Sequence, residues 1–142
     1  MSARAAASIA LALLSSAMLG LAAGAIWTVA SLYMRQPAPW LVLPIGAALA
    51  WATRAGVHPP GNVAALLAAL ATGLAAIYTA MLLAGLQIAS LMGLGLFSAL
   101  HSAGIPMLWQ LSKLATTPSD LAWFGLGIVV AAWLAWRAPR KR

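Results

Sequence analysis

Thiols and acidic side chains are nearly absent from this sequence. Its 142 residues include no cysteine and a single carboxylate side chain, that of Asp120. The lack of cysteine excludes disulfides, thiol catalysis and cysteine-ligated metals. Enzymes and proton-driven transporters usually depend on acids, so the sequence argues against both classes of protein.

Charged residues of either sign are also scarce. Only 6% of the chain is charged and 64% is hydrophobic, whereas an ordinary soluble domain has about 25% charged residues. Polar groups are too few to cover the surface, so we expect the lipid bilayer to be most of the solvent. The net charge of +7 would suggest a nucleic-acid partner in a soluble protein. Here most basic residues stand singly at the ends of apolar runs, which is typical of membrane topology, and no nucleic acid is expected.

Long apolar runs make up most of the chain, separated by proline-containing breaks such as "RQPAP" (35–39) and "RAGVHPPGN" (54–62). They predict an all-α integral membrane protein with four transmembrane helices and a short interfacial helix before the last span. The whole chain, residues 1–142, is expected to form one transmembrane domain. The spans are predicted at about 6–33, 40–54, 63–86 and 120–137.

The start of the first run mimics a signal peptide. Met1 to Arg4 can serve as a basic leader, and "GLAAGA" (20–25) offers small residues for cleavage. The apolar run nevertheless continues to Tyr33, beyond the 7–15 residues of a typical signal-peptide core. We expect a retained helix, with cleavage of residues 1–25 as the alternative.

The region after the third span is less regular. Gly85, Gly93 and Gly95 argue against one rigid rod through it. Within the segment 98–117, the apolar side chains from Ile105 to Leu114 share roughly one helical face, and Gln110 and Lys113 lie on another. This pattern predicts an interfacial helix; a re-entrant segment is the alternative.

The distribution of basic residues predicts the orientation. With both termini on one side, six basic residues lie on that side and two on the other, so the positive-inside rule puts both termini in the cytoplasm. We expect a multi-pass protein of a bacterial inner membrane. The six are Arg4, Arg54, Arg137, Arg140, Lys141 and Arg142, and the two are Arg35 and Lys113. The seven tryptophans are interpreted as an interfacial belt and not as a cofactor box.

Asp120 stands where a helix begins, in "TTPSD" (116–120). Thr117 can be the N-cap, Pro118 the first helical residue and Asp120 the third, which is the arrangement of a capping box. The carboxylate also faces the positive end of the helix dipole. We therefore interpret Asp120 as a helix cap and not as a functional acid, with Lys113 as a weak ionic partner.

Small and hydroxylated residues recur every four positions in the first span: Ser16, Gly20, Gly24 and Thr28. Such a stripe lets two helix backbones approach closely. It fits packing against another span of the same chain at least as well as dimerisation.

The two histidines fall on opposite sides of the predicted membrane, His58 inside and His101 outside, so they cannot share a metal. Ser98 lies three residues before His101, but the sequence places no acid nearby to orient an imidazole. No zinc spacing, phosphate loop or dinucleotide fingerprint is present. We expect no catalytic residue, no metal and no cofactor.

Two segments resemble a bacterial four-helix membrane domain of unknown function that is often fused to zinc-ribbon or other small regulatory modules. They are "LPIGAALAWATRAG" (43–56) and the last span, which opens with "SD" and ends "AAWLAWR" (131–137). The resemblance implies a four-helix shape and no activity.

The expected function is a non-catalytic structural or accessory subunit that contacts other membrane proteins or itself. The alternative is an oligomeric small-solute channel or transporter without proton coupling. A pore needs Thr72, Tyr78 and Thr79 to face a shared cavity, whereas a scaffold leaves them bonded to backbone.

Overall fold

The computed structural model describes residues 3–36, 38–56 and 62–137, and these are almost entirely helical, with no strand among them. A 3₁₀ turn at Pro39–Leu41 precedes the second of five α-helices. The helices are α1 (Ala3–Met34), α2 (Val42–Gly56), α3 (Asn62–Met92), α4 (Leu96–Ala115) and α5 (Pro118–Trp136).

Three of these helices are long and apolar enough to cross a membrane: Ala6–Met34 within α1, the whole of α3, and α5. This fits a membrane protein. The predicted second span corresponds to α2, which has only 15 residues and rises about 22 Å at 1.5 Å per residue. The predicted interfacial segment 98–117 corresponds to most of α4.

The central helix of the bundle is α3, which contacts each of the other four α-helices. It runs parallel to α1 at very close range. A Cβ at Gly20 would lie 2.6 Å from the carbonyl oxygen of Ala71, and one at Gly24 would lie 3.0 Å from that of Ala75. Only glycine permits this approach of the two backbones.

On the other side of α3, α2 runs parallel to α5. Val42 contacts Gly127 near the middle of α5. A Cβ at Gly46 would lie 3.0 Å from the carbonyl oxygen of Gly127. Toward the lower end of the bundle, the end at which α1 and α3 begin, a buried alanine cluster joins α2, α3 and α5; its members are Ala50, Ala64, Ala68, Ala131 and Ala135. At the lower end Arg54 donates a 3.1 Å hydrogen bond to the carbonyl oxygen of Leu134.

The third helix is longer than the predicted span 63–86. Gly85 lies inside α3, which continues to Met92 and ends at Gly93, where φ is +65°. The Leu94 N–H then bonds the carbonyl oxygen of Ala89 at 3.0 Å, as in a Schellman helix end. The expected interruption is therefore at Gly93 and not at Gly85.

A kink divides α4 at Gly104, where φ is +70° and ψ is 161°. Pro106 begins the second half of α4, at a position where its missing N–H costs little. Both halves contact the same point of α3, since a Cβ at Gly85 would lie 2.7 Å from Leu100 and 3.5 Å from Leu108. Gly85 is thus a seat for the bent α4.

Trp27 departs from the expected interfacial belt. It is only 2% exposed, and its Nε1 donates a 3.1 Å hydrogen bond to the carbonyl oxygen of Ala38. Its ring meets Phe124 edge-on, with centroids 5.7 Å apart. The other six tryptophans are exposed or half-exposed. The belt interpretation is wrong for Trp27. The linker after α1 returns into the bundle, and the Trp27 N–H pairs there with the buried carbonyl oxygen of Ala38.

The close contact of α1 and α3 can be tested with matched glycine variants. Gly20→Ala would place a methyl group against the backbone of Ala71, so we expect a loss of about 1–3 kcal/mol in stability from overpacking. Gly125→Ala, with nothing within 4 Å of its Cβ, should be neutral or stabilising by up to about 1 kcal/mol. Thermal unfolding in detergent measures both. Equal effects of the two variants would contradict the contact.

Candidate functional site

A cavity of about 390 Å³ opens at the upper end of the bundle, the end at which α1 and α3 finish and α5 begins. Four helices and the linker between α1 and α2 line it. Its apolar walls include Trp27, Leu83 and Phe124. Its polar lining residues are Ser31, Arg35, Gln36, Thr79, Gln87, Ser112, Thr116 and Asp120.

The shortness of α2 explains the cavity. Val42, its first residue, packs beside Gly127, nine residues along α5 from Pro118, which is about 13 Å below the top of that helix. The linker reaches this depth at Ala38, whose carbonyl oxygen accepts the hydrogen bond from Trp27 Nε1. The upper part of the bundle therefore lacks a fourth long helix, and the cavity occupies that place.

The turn into the linker is strained. Arg35 has φ of +55°, the one non-glycine residue with a positive φ in the described part of the chain. Its N–H bonds the carbonyl oxygen of Leu32 at 3.1 Å and closes α1. A left-handed conformation at a non-glycine residue costs about 1–2 kcal/mol, and such residues persist where surrounding structure holds them. Here the hydrogen bond between Trp27 and Ala38 fixes the linker that follows Arg35.

One polar group of the cavity is left unpaired. Ser31 is only 2% exposed, and its Oγ has no hydrogen-bond partner among the residues that the structure describes. A serine in a helix commonly bonds a carbonyl of the preceding turn, as Ser15 and Ser112 do here. A buried hydroxyl without a partner is uncommon and calls for an explanation.

The lone acid caps α5. The Thr117 N–H donates to Asp120 Oδ2 at 3.0 Å, and the Asp120 N–H donates to Thr117 Oγ1 at 3.4 Å, which together form a capping box. Pro118 occupies the first turn. The Ser119 hydroxyl lies 2.8 Å from Thr117 Oγ1. The carboxylate is half-exposed and also lines the cavity.

Lys113, the expected ionic partner of Asp120, points elsewhere. Its Nζ lies 5.1 Å from the centroid of the Trp109 ring, a distance at which an ammonium is attracted to the aromatic face. The cap at Asp120 thus rests on backbone hydrogen bonds and not on this lysine.

The four residues of the α1 stripe all face α3 of the same chain. Ser16 Oγ donates to the carbonyl oxygen of Leu67 at 2.8 Å. The carbonyl oxygen of Gly24 accepts from Thr28 Oγ1 at 2.8 Å and from Thr79 Oγ1 at 3.1 Å. With Gly20 against Ala71, this places the stripe in an intramolecular interface.

The histidines form no site among the described residues. Ser98 and His101 are both exposed on α4, and His58 lies outside the described residues. No group of three or more potential metal ligands occurs within 3–36, 38–56 and 62–137.

Of the three polar residues that separate a pore from a scaffold, Thr72 and Thr79 are buried and Tyr78 is half-exposed. Thr72 is fully buried and donates to the carbonyl oxygen of Ala68 at 2.8 Å. Thr79 is bonded to Gly24, as above, and Tyr78 packs beside the same glycine. Only Thr79 also lines the cavity.

Sequence reasoning singled out Asp120 as a helix cap and Thr79 as a possible pore residue, and it missed the cavity that both residues line. Trp27, Ser31 and Arg35 recur at four-residue spacing in the sequence, a signal that they share one helical face. Nothing in that spacing shows that the linker folds back to Ala38, and this is what creates the space.

A scan against protein-family models gives no match, and searches of curated proteins and of solved structures give none either.

The capping box predicts an order of effects at the start of α5. Asp120→Asn keeps an acceptor for the Thr117 N–H and loses the charge, so we expect a cost of about 0.3–1 kcal/mol. Thr117→Ala removes the N-cap hydroxyl, with an expected cost of about 0.5–2 kcal/mol. Ser90→Ala, at an exposed site on α3, is the control. Thermal unfolding in detergent gives the order. If the Asp120→Asn variant folds normally but gives the phenotype of the gene deletion, Asp120 is a functional acid and not only a helix cap.

Proposed function

We propose that this protein is a non-catalytic accessory subunit of a membrane assembly, with four spans formed by α1, α2, α3 and α5. The observation that carries the proposal is the way the bundle uses its polar side chains. Hydroxyl groups of Ser16, Thr28, Thr53, Thr72 and Thr79 all donate to backbone carbonyls of the same chain.

This pattern favours a scaffold over a pore. A conducting path needs polar groups that remain available to a solute or to water. Here the hydroxyls of these five residues are bonded within the bundle, with Ser31 as the exception, and alanine and glycine bring the helices together. The large apolar side chains of α1 point outward, among them Leu11, Met18 and Ile26, where lipid or a partner helix can cover them.

The packing supports α2 as a span in spite of its length. Together with the 3₁₀ turn, the helical segment Pro39–Gly56 rises about 28 Å, close to the roughly 30 Å of a bilayer core. It runs beside α5 and antiparallel to α3, so the chain runs along the length of the bundle four times, in α1, α2, α3 and α5. Gly85, the seat of α4, lies about 34 Å along α3 from Asn62, which favours an interfacial position for α4.

The basic residues support a cytoplasmic lower end in a bacterial inner membrane. Arg54 and Arg137 lie at the lower end, where Arg137 stacks 4.3 Å from the Trp133 ring centroid. Arg35 and Lys113 belong to the upper end. Arg4 and the basic tail bring the sequence to six basic residues expected at the lower end against two at the upper end, and the positive-inside rule then favours cytoplasmic termini.

The orientation can be tested by cysteine labelling, since the native chain has no cysteine. Gln110→Cys on α4 and Ala55→Cys at the end of α2 are both exposed positions. In intact cells a membrane-impermeant thiol reagent should label Gln110→Cys alone. Permeabilised cells, in which both should react, are the control. Labelling of Ala55→Cys in intact cells would reverse the topology.

A partner helix has a candidate seat in a shallow groove of about 410 Å³ between α3 and α5 at the lower end. Small side chains of Ala65, Ala69 and Ala132 form its base, and Trp133 and Trp136 flank it. Small residues on a lipid-facing surface allow another helix to approach closely.

The accessory role predicts a stoichiometric partner that depends on this groove. The tagged chain is purified from its native membrane, and co-purifying proteins are quantified. Ala69→Phe should lower recovery of the partner about tenfold or more, as expected for loss of about 1.4 kcal/mol or more. Leu70→Phe, one position along at an exposed site outside the groove, should leave recovery unchanged. Purification of the chain alone, together with solute flux after reconstitution into liposomes, would favour the channel instead.

A further inference from the structure

We propose that the upper cavity binds the headgroup and ester region of a zwitterionic glycerophospholipid. The proposal rests on three independent features of the lining: its volume, the unpaired Ser31 hydroxyl, and the presence of one positive and one negative side chain. It is compatible with the accessory role and does not require it.

The volume sets the size of the occupant. The cavity volume of about 390 Å³ lies within the range of small-molecule pockets. This accommodates a headgroup, the glycerol and the start of one acyl chain. Most of both chains must lie outside, along the apolar helix surfaces.

Polar groups line the cavity on the last turn of α1 and just beyond its end. Ser31 lies within α1, and Arg35 follows Met34, the last residue of that helix. Ser31 lines the cavity, and a change of its side-chain rotamer would let the now enclosed hydroxyl donate to an ester carbonyl, which would end its unpaired state. The Arg35 guanidinium above it suits a phosphate, for which its planar set of N–H donors is well matched.

The charges specify a zwitterion. Asp120 lines the same cavity as Arg35, and its cap bonds leave Oδ1 available to a cation. An ammonium headgroup places positive charge where the carboxylate attracts it. An anionic headgroup would meet the same carboxylate with repulsion, so phosphatidylethanolamine should bind more tightly than phosphatidylglycerol.

The apolar lining fits the rest of a lipid. Ala80, Leu83 and Phe124 lie below and beside the polar groups. These three side chains have no hydrogen-bond donor, and they can contact the first methylene groups of an acyl chain. A free, water-soluble phosphate compound would leave these side chains uncovered.

The test is a titration of the purified, delipidated full chain in detergent with phosphatidylethanolamine, followed by native mass spectrometry. We expect saturable binding of one lipid per chain. Ser31→Ala should weaken it about 2- to 10-fold and Arg35→Gln about 10-fold or more, the ranges for neutral and charged hydrogen bonds. Ala80→Leu, which fills the cavity, should abolish it. Ser90→Ala and Arg4→Gln, at exposed sites outside the cavity, are the matched controls and should bind normally.

Two further arms identify the chemical source. Phosphatidylglycerol with the same acyl chains should bind more weakly than phosphatidylethanolamine. Asp120→Asn should reduce the difference in affinity between the two lipids. Glycerophosphoethanolamine, the headgroup without chains, should compete poorly. Non-saturable binding, equal loss in the control variants, or equal affinity for both lipids would overturn the proposal. Equally strong competition by the chainless headgroup would assign the cavity to a soluble phosphate compound instead. Thermal unfolding of each variant confirms that its fold is intact.

Discussion

The close approach of α1 and α3 is the constraint on which the rest of the bundle depends. In a bilayer, apolar surface gains little by leaving lipid, so helices associate through close packing and hydrogen bonds. Gly20 and Gly24 let the two backbones meet, and the contact adds hydroxyl bonds from Ser16 and Thr79. With α1 fixed against α3 in parallel, α2 and α5 are left to pack on the remaining faces of α3.

That arrangement also determines where the bundle is incomplete. Because α1 and α3 rise together to the upper end, a full-length α2 would have filled the space between α1 and α5. Instead α2 begins near the middle of α5, and the linker descends to meet it. The cavity and its polar lining follow from this difference in helix length. The buried Trp27 holds the linker at that depth and keeps the cavity open from below.

Much of this could be predicted from the sequence, because local patterns carry it. Uncharged apolar runs predicted four spans, of which three correspond to helices long and apolar enough to cross a membrane, and "TTPSD" contains both partners of the capping box found at α5. The cavity depends on non-local contacts, which local patterns do not encode. Trp27 reads as one more interfacial tryptophan until Ala38 is known to lie beside it. Gly85 reads as a helix breaker, although it is a seat for α4 that leaves the helix continuous.

The parallel pairing of α1 and α3 has a consequence for how the chain assembles. These two helices are neighbours in space but not in sequence, and α1 makes little contact with α2. During synthesis, α1 and α2 therefore emerge before the main partner of α1 has been made. The glycine face of α1, which packs on α3 in the folded chain, has no partner helix until α3 has been made. Assembly of this bundle is thus a delayed event, governed by the emergence of its third helix.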